Sequence, residues 1–343
     1  MQSRRRRRSN IAGPELPLDL VVAEILPRIA TRCIARSVCR AAAANMAKAT
    51  DRVALLRGDA ARWAAQHAGL RDHGAAASRV FAAAGLTREL REAVEAGCAM
   101  SATTCAAAAY GGHLGTLQWA HGAGCPWDQT TCSSAAAGGN LDTLKWARDA
   151  GCPWDELTCT YAAYYGHTDT LQWARGAGCP WDKMTCSMAA INGHLDTLKW
   201  AHGAGCPWSE TTCSLAAMAG HLDTLKWARG AGCPWDRETT SSAAQNGHLE
   251  MLQWAHAEGC PMDQMTCSSA AYSGHLEILK WAHEAHCPWE EMTCSLAALN
   301  GHLELLQWAR GAGCPWNANT FARAVQGGHS QTVEWLRAAG CPT

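Results

Sequence analysis

Phenylalanine is almost missing from this chain, with two residues in 343, while tryptophan reaches 17. So lopsided an aromatic set argues for one structural unit used many times. Net charge is missing as well: 29 Lys and Arg face 30 Asp and Glu, a formal net charge of -1, and bulk charge therefore names no nucleic-acid or acidic partner. Only 17% of residues are charged and 48% are hydrophobic, which excludes wholesale disorder. No apolar run approaches the roughly 20 residues that would span a bilayer, so no membrane helix and no membrane partner are expected. Arg4 to Arg8 are followed by no apolar stretch of signal-peptide type, and an intracellular location is expected. The 19 Cys are an odd number and read as free thiols of a reducing compartment rather than a disulfide framework. A Gly-rich phosphate loop, a nucleophile elbow and a paired-carboxylate pocket are absent too, so the chain reads as a non-enzyme with no cofactor.

What is present is a period. Trp119, Trp146, Trp173, Trp200, Trp227, Trp254, Trp281, Trp308 and Trp335 stand 27 residues apart, and Cys125 to Cys341 keep the same step without an insertion. Backward extension puts Cys98 in phase with Cys125 and starts a worn first half-unit near Arg79. Within a unit, Asp182 or Thr185 caps a short helix A that ends at Asn192-Gly193. Helix B runs from about His194 to Ala204, where Gly205 supplies a left-handed stop and Pro207 prevents continuation. Leu198 and Trp200 lie about 160° apart around helix B, which gives it two apolar sides. So short a helix pair cannot bury both sides alone, and neighbours must stack. The expected fold class is all-α, a helical solenoid of about nine to ten 27-residue helix-turn-helix repeats, with a small helical N-terminal segment. In the last unit Ser330, Gln331, Leu336 and Arg337 depart from the pattern and read as a solvent-facing cap.

Each complete unit also offers a His and two Cys, as in His194, Cys206 and Cys213, so a zinc ladder has to be weighed. Structural zinc sites usually bring paired ligands two to four residues apart, whereas each Cys here is alone in sequence. Substitutions fall singly: Thr240 and Phe321 take the second Cys place, and Asn140 takes the His place. That pattern suits packing, with small buried thiols and a His that bonds backbone. No metal site is expected.

The segment AAINGHLDTLKWAHGAGCPWSE, from Ala189 to Glu210, resembles an ankyrin repeat in its Ala-Ala-x-x-Gly-His-Leu-acidic core, its apolar second helix and its closing Gly. The resemblance covers residues 79–343. Units of 27 residues leave no room for the family's projecting hairpin, Cys186 and Ser187 stand where the family has Leu-His, and Trp200 replaces a Leu. The Trp-Ala and Gly-Cys-Pro-Trp signature is similar to that of a subgroup found in pandoraviruses and some algae, and the viral resemblance implies a location in a host's cytoplasm or nucleus. Ankyrin-like arrays bind proteins, and the positions that vary between units lie on helix A. One set is Ser134, Tyr161, Met188, Leu215, Ser242, Ser269 and Leu296; three residues later come Ala137, Tyr164, Ile191, Met218, Gln245, Tyr272 and Leu299. Spacing of i, i+3 puts both sets on one side of the helix. Tyr161, Tyr164, Met188, Ile191, Leu215, Met218, Tyr272, Leu296 and Leu299 are of anchor type and form the candidate partner-binding stripe. The bland alternative is tolerant surface or varied core packing.

Ahead of the array, residues 1–13 read as a disordered basic tail and 47–78 as a helical connector. Residues 14–46 fit short amphipathic helices with Pro17 at a start and Pro27 at a break. They resemble an F-box, with Leu16-Pro17, Ile25-Leu26 and Val38-Cys39-Arg40 in its pattern, although the spacings differ slightly and no aromatic follows Arg40. That resemblance implies docking of a Skp adaptor, and through it a cullin, by Leu16, Pro17, Leu20, Ile25 and Leu26. The implied function is that of a substrate-recruiting adaptor of a cullin-type ubiquitin ligase; the alternative is a passive scaffold or host-interaction effector without ligase recruitment.

Overall fold

A computed structural model describes residues 71–343. Among the described residues there are 20 helices and no strand, and none of those helices is long and apolar enough to cross a membrane. They belong to two compact units that meet in sequence at Pro153 and Trp154. The first contains α1 (Arg71–Ala83), α2 (Thr87–Glu95), α3 (Ala102–Tyr110), α4 (Leu114–Gly122), α5 (Gln129–Ala137) and α6 (Leu141–Asp149). The second runs through α7 (Glu156–Tyr164), α8 (Thr168–Gly176), α9 (Lys183–Ile191), α10 (Leu195–Gly203), α11 (Glu210–Ala219), α12 (Leu222–Gly230) and α13 (Arg237–Gln245). It continues with α14 (Leu249–Ala257), α15 (Gln264–Ser273), α16 (Leu276–Glu284), α17 (Glu291–Leu299), α18 (Leu303–Gly311), α19 (Ala318–Gly327) and α20 (Ser330–Ala338). Odd-numbered helices are the A helices and even-numbered ones the B helices, so the all-helical repeat expected from the 27-residue period is what these residues form. The segments 1–13 and 14–46 lie outside the described residues, and α1 spans the position 78/79 at which the sequence period begins.

Local chemistry sets the helix ends. Asp182 is extended at the start of α9 and its Oδ1 accepts from the Met184 N–H at 2.9 Å, which satisfies one of the donors that a helix start leaves open. Asp128, Asp155, Asp236 and Asp263 do the same for α5, α7, α13 and α15. Thr185, the other capping candidate, lies inside the helix and is fully buried. B helices end at a glycine with positive φ, +83° at Gly205, which a side chain would resist; after α16 that place is held instead by His286, at φ +59°.

Packing follows from small residues. Ala189, Ala190 and Cys186 of α9, with Leu198 and Ala201 of α10, are all 0% exposed, and their equivalents recur through both units. Within each unit successive A helices pack closely along their length and the B helices touch one another far less. The alanine pair is what permits the A helices to approach. Leu198 fills the core between repeats, worth about 1.5 to 3 kcal/mol for a side chain of its kind. Trp200, on the opposite side of the same helix, is half-buried against Trp181, with ring centroids 5.9 Å apart. Both sides of helix B are therefore occupied. In the terminal repeat Ser330, Gln331 and Arg337 face solvent, but Leu336 does not: it takes the place of a core alanine and is 0% exposed. The expected cap is polar at those three positions and apolar at Leu336.

A second tie joins successive repeats at the A–B turns. His113, His248, His275, His302 and His329 each place Nε2 between 3.0 and 3.3 Å from the carbonyl oxygen of Ala83, Met218, Gln245, Tyr272 and Leu299 respectively, 30 residues back. A carbonyl only accepts, so Nε2 carries the hydrogen. Asn140 replaces the His and donates its amide to Tyr110 O at 2.7 Å and to Ala109 O at 3.0 Å. The substitution keeps the donor, which is why a ladder of histidines tolerates it. The imidazole also lies over the glycine of the preceding turn: a Cβ on Gly193, at φ +68°, would stand 2.6 Å from His221 Nδ1.

Two expected outcomes follow from the turns. Gly193→Ala should destabilise by about 1 to 3 kcal/mol through backbone strain and the blocked ring, whereas Gly203→Ala, at a helical site with nothing within 4 Å of the new Cβ, should stabilise by about 0.4 to 1 kcal/mol. Equal denaturation midpoints for the two variants would contradict the contact. Burial holds the His194 imidazole below its ordinary pKa, ahead of the opposing bond to Tyr164 O and of the neighbouring His167 and His221. The unfolded chain then binds the proton more readily, so the contribution of His194 is intact above the ordinary histidine pKa of about 6.5 and falls as pH drops below it, levelling off below the folded value. Urea melts at pH 7.5 and 5.5 should show a smaller loss for His194→Asn, which keeps a donor without the titration, than for the unaltered chain.

Candidate protein-binding face

The seven A helices of the second unit present their variable residues in three rows rather than two. In α7 these are Leu157, Tyr161 and Tyr164; in α9 Met184, Met188 and Ile191; in α11 Thr211, Leu215 and Met218. In α15 they are Met265, Ser269 and Tyr272, and in α17 Met292, Leu296 and Leu299. Offsets of i, i+4 and i+7 place each triplet along one helix face. Helix α13 interrupts the apolar character with Glu238, Ser242 and Gln245.

Exposure separates these residues by what they can offer a partner. Met218, Tyr272, Leu157, Met265 and Met292 are among the large apolar side chains most open to water. Tyr161, Tyr164, Ile191, Leu215, Leu296 and Leu299 are half-buried. Met188 is only 8% exposed: its side chain packs within the array, and it is a weaker anchor than its place in the repeat suggests. Tyr164 meets Tyr165 edge to face at 4.9 Å, and burial, followed by Asp155, raises the Tyr161 phenol. Leu157, Met184, Met265 and Met292 extend the stripe by one turn toward the helix start. The sequence carries a signal for them, an i−4 offset from the Tyr161 row. Leu16, Pro17, Leu20, Ile25 and Leu26, the adaptor-docking residues, lie outside the described residues.

The other recurrent surface is polar and aromatic. On the B side His202 stacks on Trp208 at 3.7 Å, and Trp208 meets Trp227 edge to face at 6.0 Å. Arg175, Arg229 and Arg310 take the histidine's place over Trp181, Trp235 and Trp316, each 4.4 Å from the ring centroid. Cation–π contacts of this kind contribute roughly 0.5 to 1 kcal/mol at exposed sites. Met262 replaces one loop Trp, and there His256 meets only Trp281, at 5.7 Å. These side chains are engaged with one another, so the ladder is a brace between repeats.

The thiols, isolated in sequence, are not isolated in space. Twenty residues apart, Cys186 and Cys206 come together: the Cys206 thiol donates to Asp182 O at 3.4 Å, and the Cys186 thiol reaches Cys206 O at 3.9 Å. Cys132 with Cys152 and Cys267 with Cys287 repeat the arrangement. Every described Cys is buried and none forms a disulfide. The neighbouring thiol and then burial push Cys186 well up, and burial pushes Cys260 up to about 12. Among the described residues no three His, Cys, Asp or Glu gather as metal ligands would.

No family model matches this chain, and no curated protein does. Among solved structures, the ankyrin repeat domain of human ASB11 is similar to part of it, with 15% identity over 46% of this chain and 84% of that one and a TM-score of 0.39. A superposition that loose decides nothing about the site.

Thiols that are buried and protonated react slowly, because the thiolate is the nucleophile. Alkylation by iodoacetamide near neutral pH should leave Cys186 and Cys260, whose thiols are pushed up, unmodified in the folded chain and reach them in denaturant. Rapid native labelling of these two, read by peptide mass mapping, would show that the array opens around them.

Proposed function

We propose that the chain is a protein-binding module that holds a polypeptide target across the A helices of the second unit, without catalysis of its own. The observation that carries this reading is where the apolar exposure falls. Leu157, Met218, Met265, Tyr272 and Met292 are open to water on A helices, while Asp196, Lys199 and Arg229 face water on B helices. Apolar side chains gathered on one face of a folded chain mark interaction surfaces more often than chance, and Met, Tyr and Leu supply adaptable contact area. The ankyrin-like pattern of the repeat supports the same reading, since such arrays serve as binding surfaces.

The finer part of the proposal concerns the first 46 residues. Leu16-Pro17, Ile25-Leu26 and Val38-Cys39-Arg40 support recruitment of a Skp adaptor and a cullin, which makes the chain a substrate receptor of a ubiquitin ligase working inside a host cell. The target is held by the stripe and the ligase by the N-terminal segment, so the two functions separate by deletion.

A photo-reactive amino acid at Met265 or Met292 should form adducts with the target, and one at Lys199, exposed on α10, should form none. Deleting residues 1–46 should remove the Skp adaptor from the purified complex and leave the stripe adducts in place. Equal adducts at Lys199 would overturn the binding face, and a Skp adaptor retained after the deletion would overturn the ligase role.

A further inference from the structure

The face across α13, α15 and α17 carries information about the kind of partner it takes. Met265, Tyr272 and Met292 are 44%, 45% and 46% exposed, with Leu296 half-buried one turn after Met292 on α17. The three rows of each triplet are spread over seven residue rises of helix, about 10 Å along its axis, which matches the 10 to 12 Å diameter of an α-helix rather than the width of one extended strand. Adjacent A helices pack about 8 to 10 Å apart, and seven residues of a helix lying across them advance by about 10 Å. A partner helix thus meets each A helix once every two turns. The rim is acidic: Glu238 on α13 and Glu291 on α17 are exposed, and Glu290 is half-exposed. The basic residue beside them, Arg237, is engaged by Asp263 at 3.5 Å across the repeat. Arg323 holds the next triplet position on α19, which limits the face to the three helices.

We infer that this face binds an amphipathic α-helix of another protein, four turns or more in length, whose apolar stripe is bordered by Lys or Arg. The inference rests on the proposed binding role of the A helices and assigns the chemistry of the partner. Methionine and tyrosine give an apolar floor that adapts to differing side chains. The glutamates attract the basic border, raise the association rate and disfavour an acidic helix.

The test uses the full chain and three synthetic peptides of about 18 residues, followed by fluorescence anisotropy: a Leu/Lys peptide with helical apolar periodicity, its Leu/Glu counterpart, and a Leu/Lys peptide of scrambled order. The periodic Leu/Lys peptide should bind at least about tenfold more tightly than either control and weaken as salt is added. Met265→Ala with Met292→Ala, and separately Glu238→Lys with Glu291→Lys, should each weaken it at least about fivefold. Asp196→Lys with Asp223→Lys, on B helices, should change it less than about twofold, which separates the face from the general field of the chain. All of these altered side chains are exposed or nearly so, and circular dichroism with a urea melt on each variant confirms that it folds. Equal binding of the scrambled or the acidic peptide, no measurable binding of the periodic basic one, or loss of equal size in the B-helix variant overturns the inference. So does self-association of the chain that the Met265 and Met292 changes abolish, which would assign the face to a second copy. If the peptides fail while the adducts at Met265 and Met292 persist, the binding role stands and only the partner's chemistry is wrong.

Discussion

The constraint on which this structure depends is that nine-residue helices cannot bury their own apolar surface. Leu195–Gly203 carries Leu198 on one side and Trp200 on the other, and a helix of that length has little stability in isolation. Each repeat therefore needs its neighbours, and the residues that recur with few exceptions are those that make neighbours possible. The alanine pair and the small thiol let A helices approach; the histidine ties each turn to the carbonyl before it; the loop tryptophan lies between a cation or imidazole of one repeat and a tryptophan of the next. Every one of these contacts crosses a repeat boundary, which is why a step of 27 residues is held without insertion.

Once those positions are committed to stacking, the remaining freedom is confined to one face. Residues at the Leu157, Tyr161 and Tyr164 places change from repeat to repeat because the stack asks little of them. They are also where large apolar side chains meet water, so variation and exposure coincide on the A helices. Met188 shows the limit of that rule: it varies like its equivalents yet is 8% exposed, so the stack covers it where Tyr161 and Leu296 stay half-buried. The B side has no comparable freedom, since its arginines and histidines are held over tryptophan rings.

Much of this was legible one residue at a time. The aspartate caps, the positive-φ glycines and the two-sided B helix follow from local chemistry, and Asn140 in a histidine's place spoke against a metal ladder. What was not legible depended on residues distant in sequence and close in space. The thiols of Cys186 and Cys206 are separated by a whole helix and two turns, so spacing made each appear solitary. Leu336 looked like part of a polar end, but while Ser330 and Gln331 face outward it is buried in the core together with Thr332. Leu157, Met265 and Met292 occupy the first turn of their helices, where capping residues dominate the pattern and hide the apolar row behind them.

By itself the sequence determined the repeating unit, its helix boundaries and its need for stacked neighbours, because these follow from periodicity, capping and turn residues that act over a few positions. The tertiary structure decided which side chains the stack covers and which it leaves to water. That choice is made by the distance between neighbouring helices and by the direction each Cα–Cβ bond takes, and neither is written in the spacing of residues along a chain.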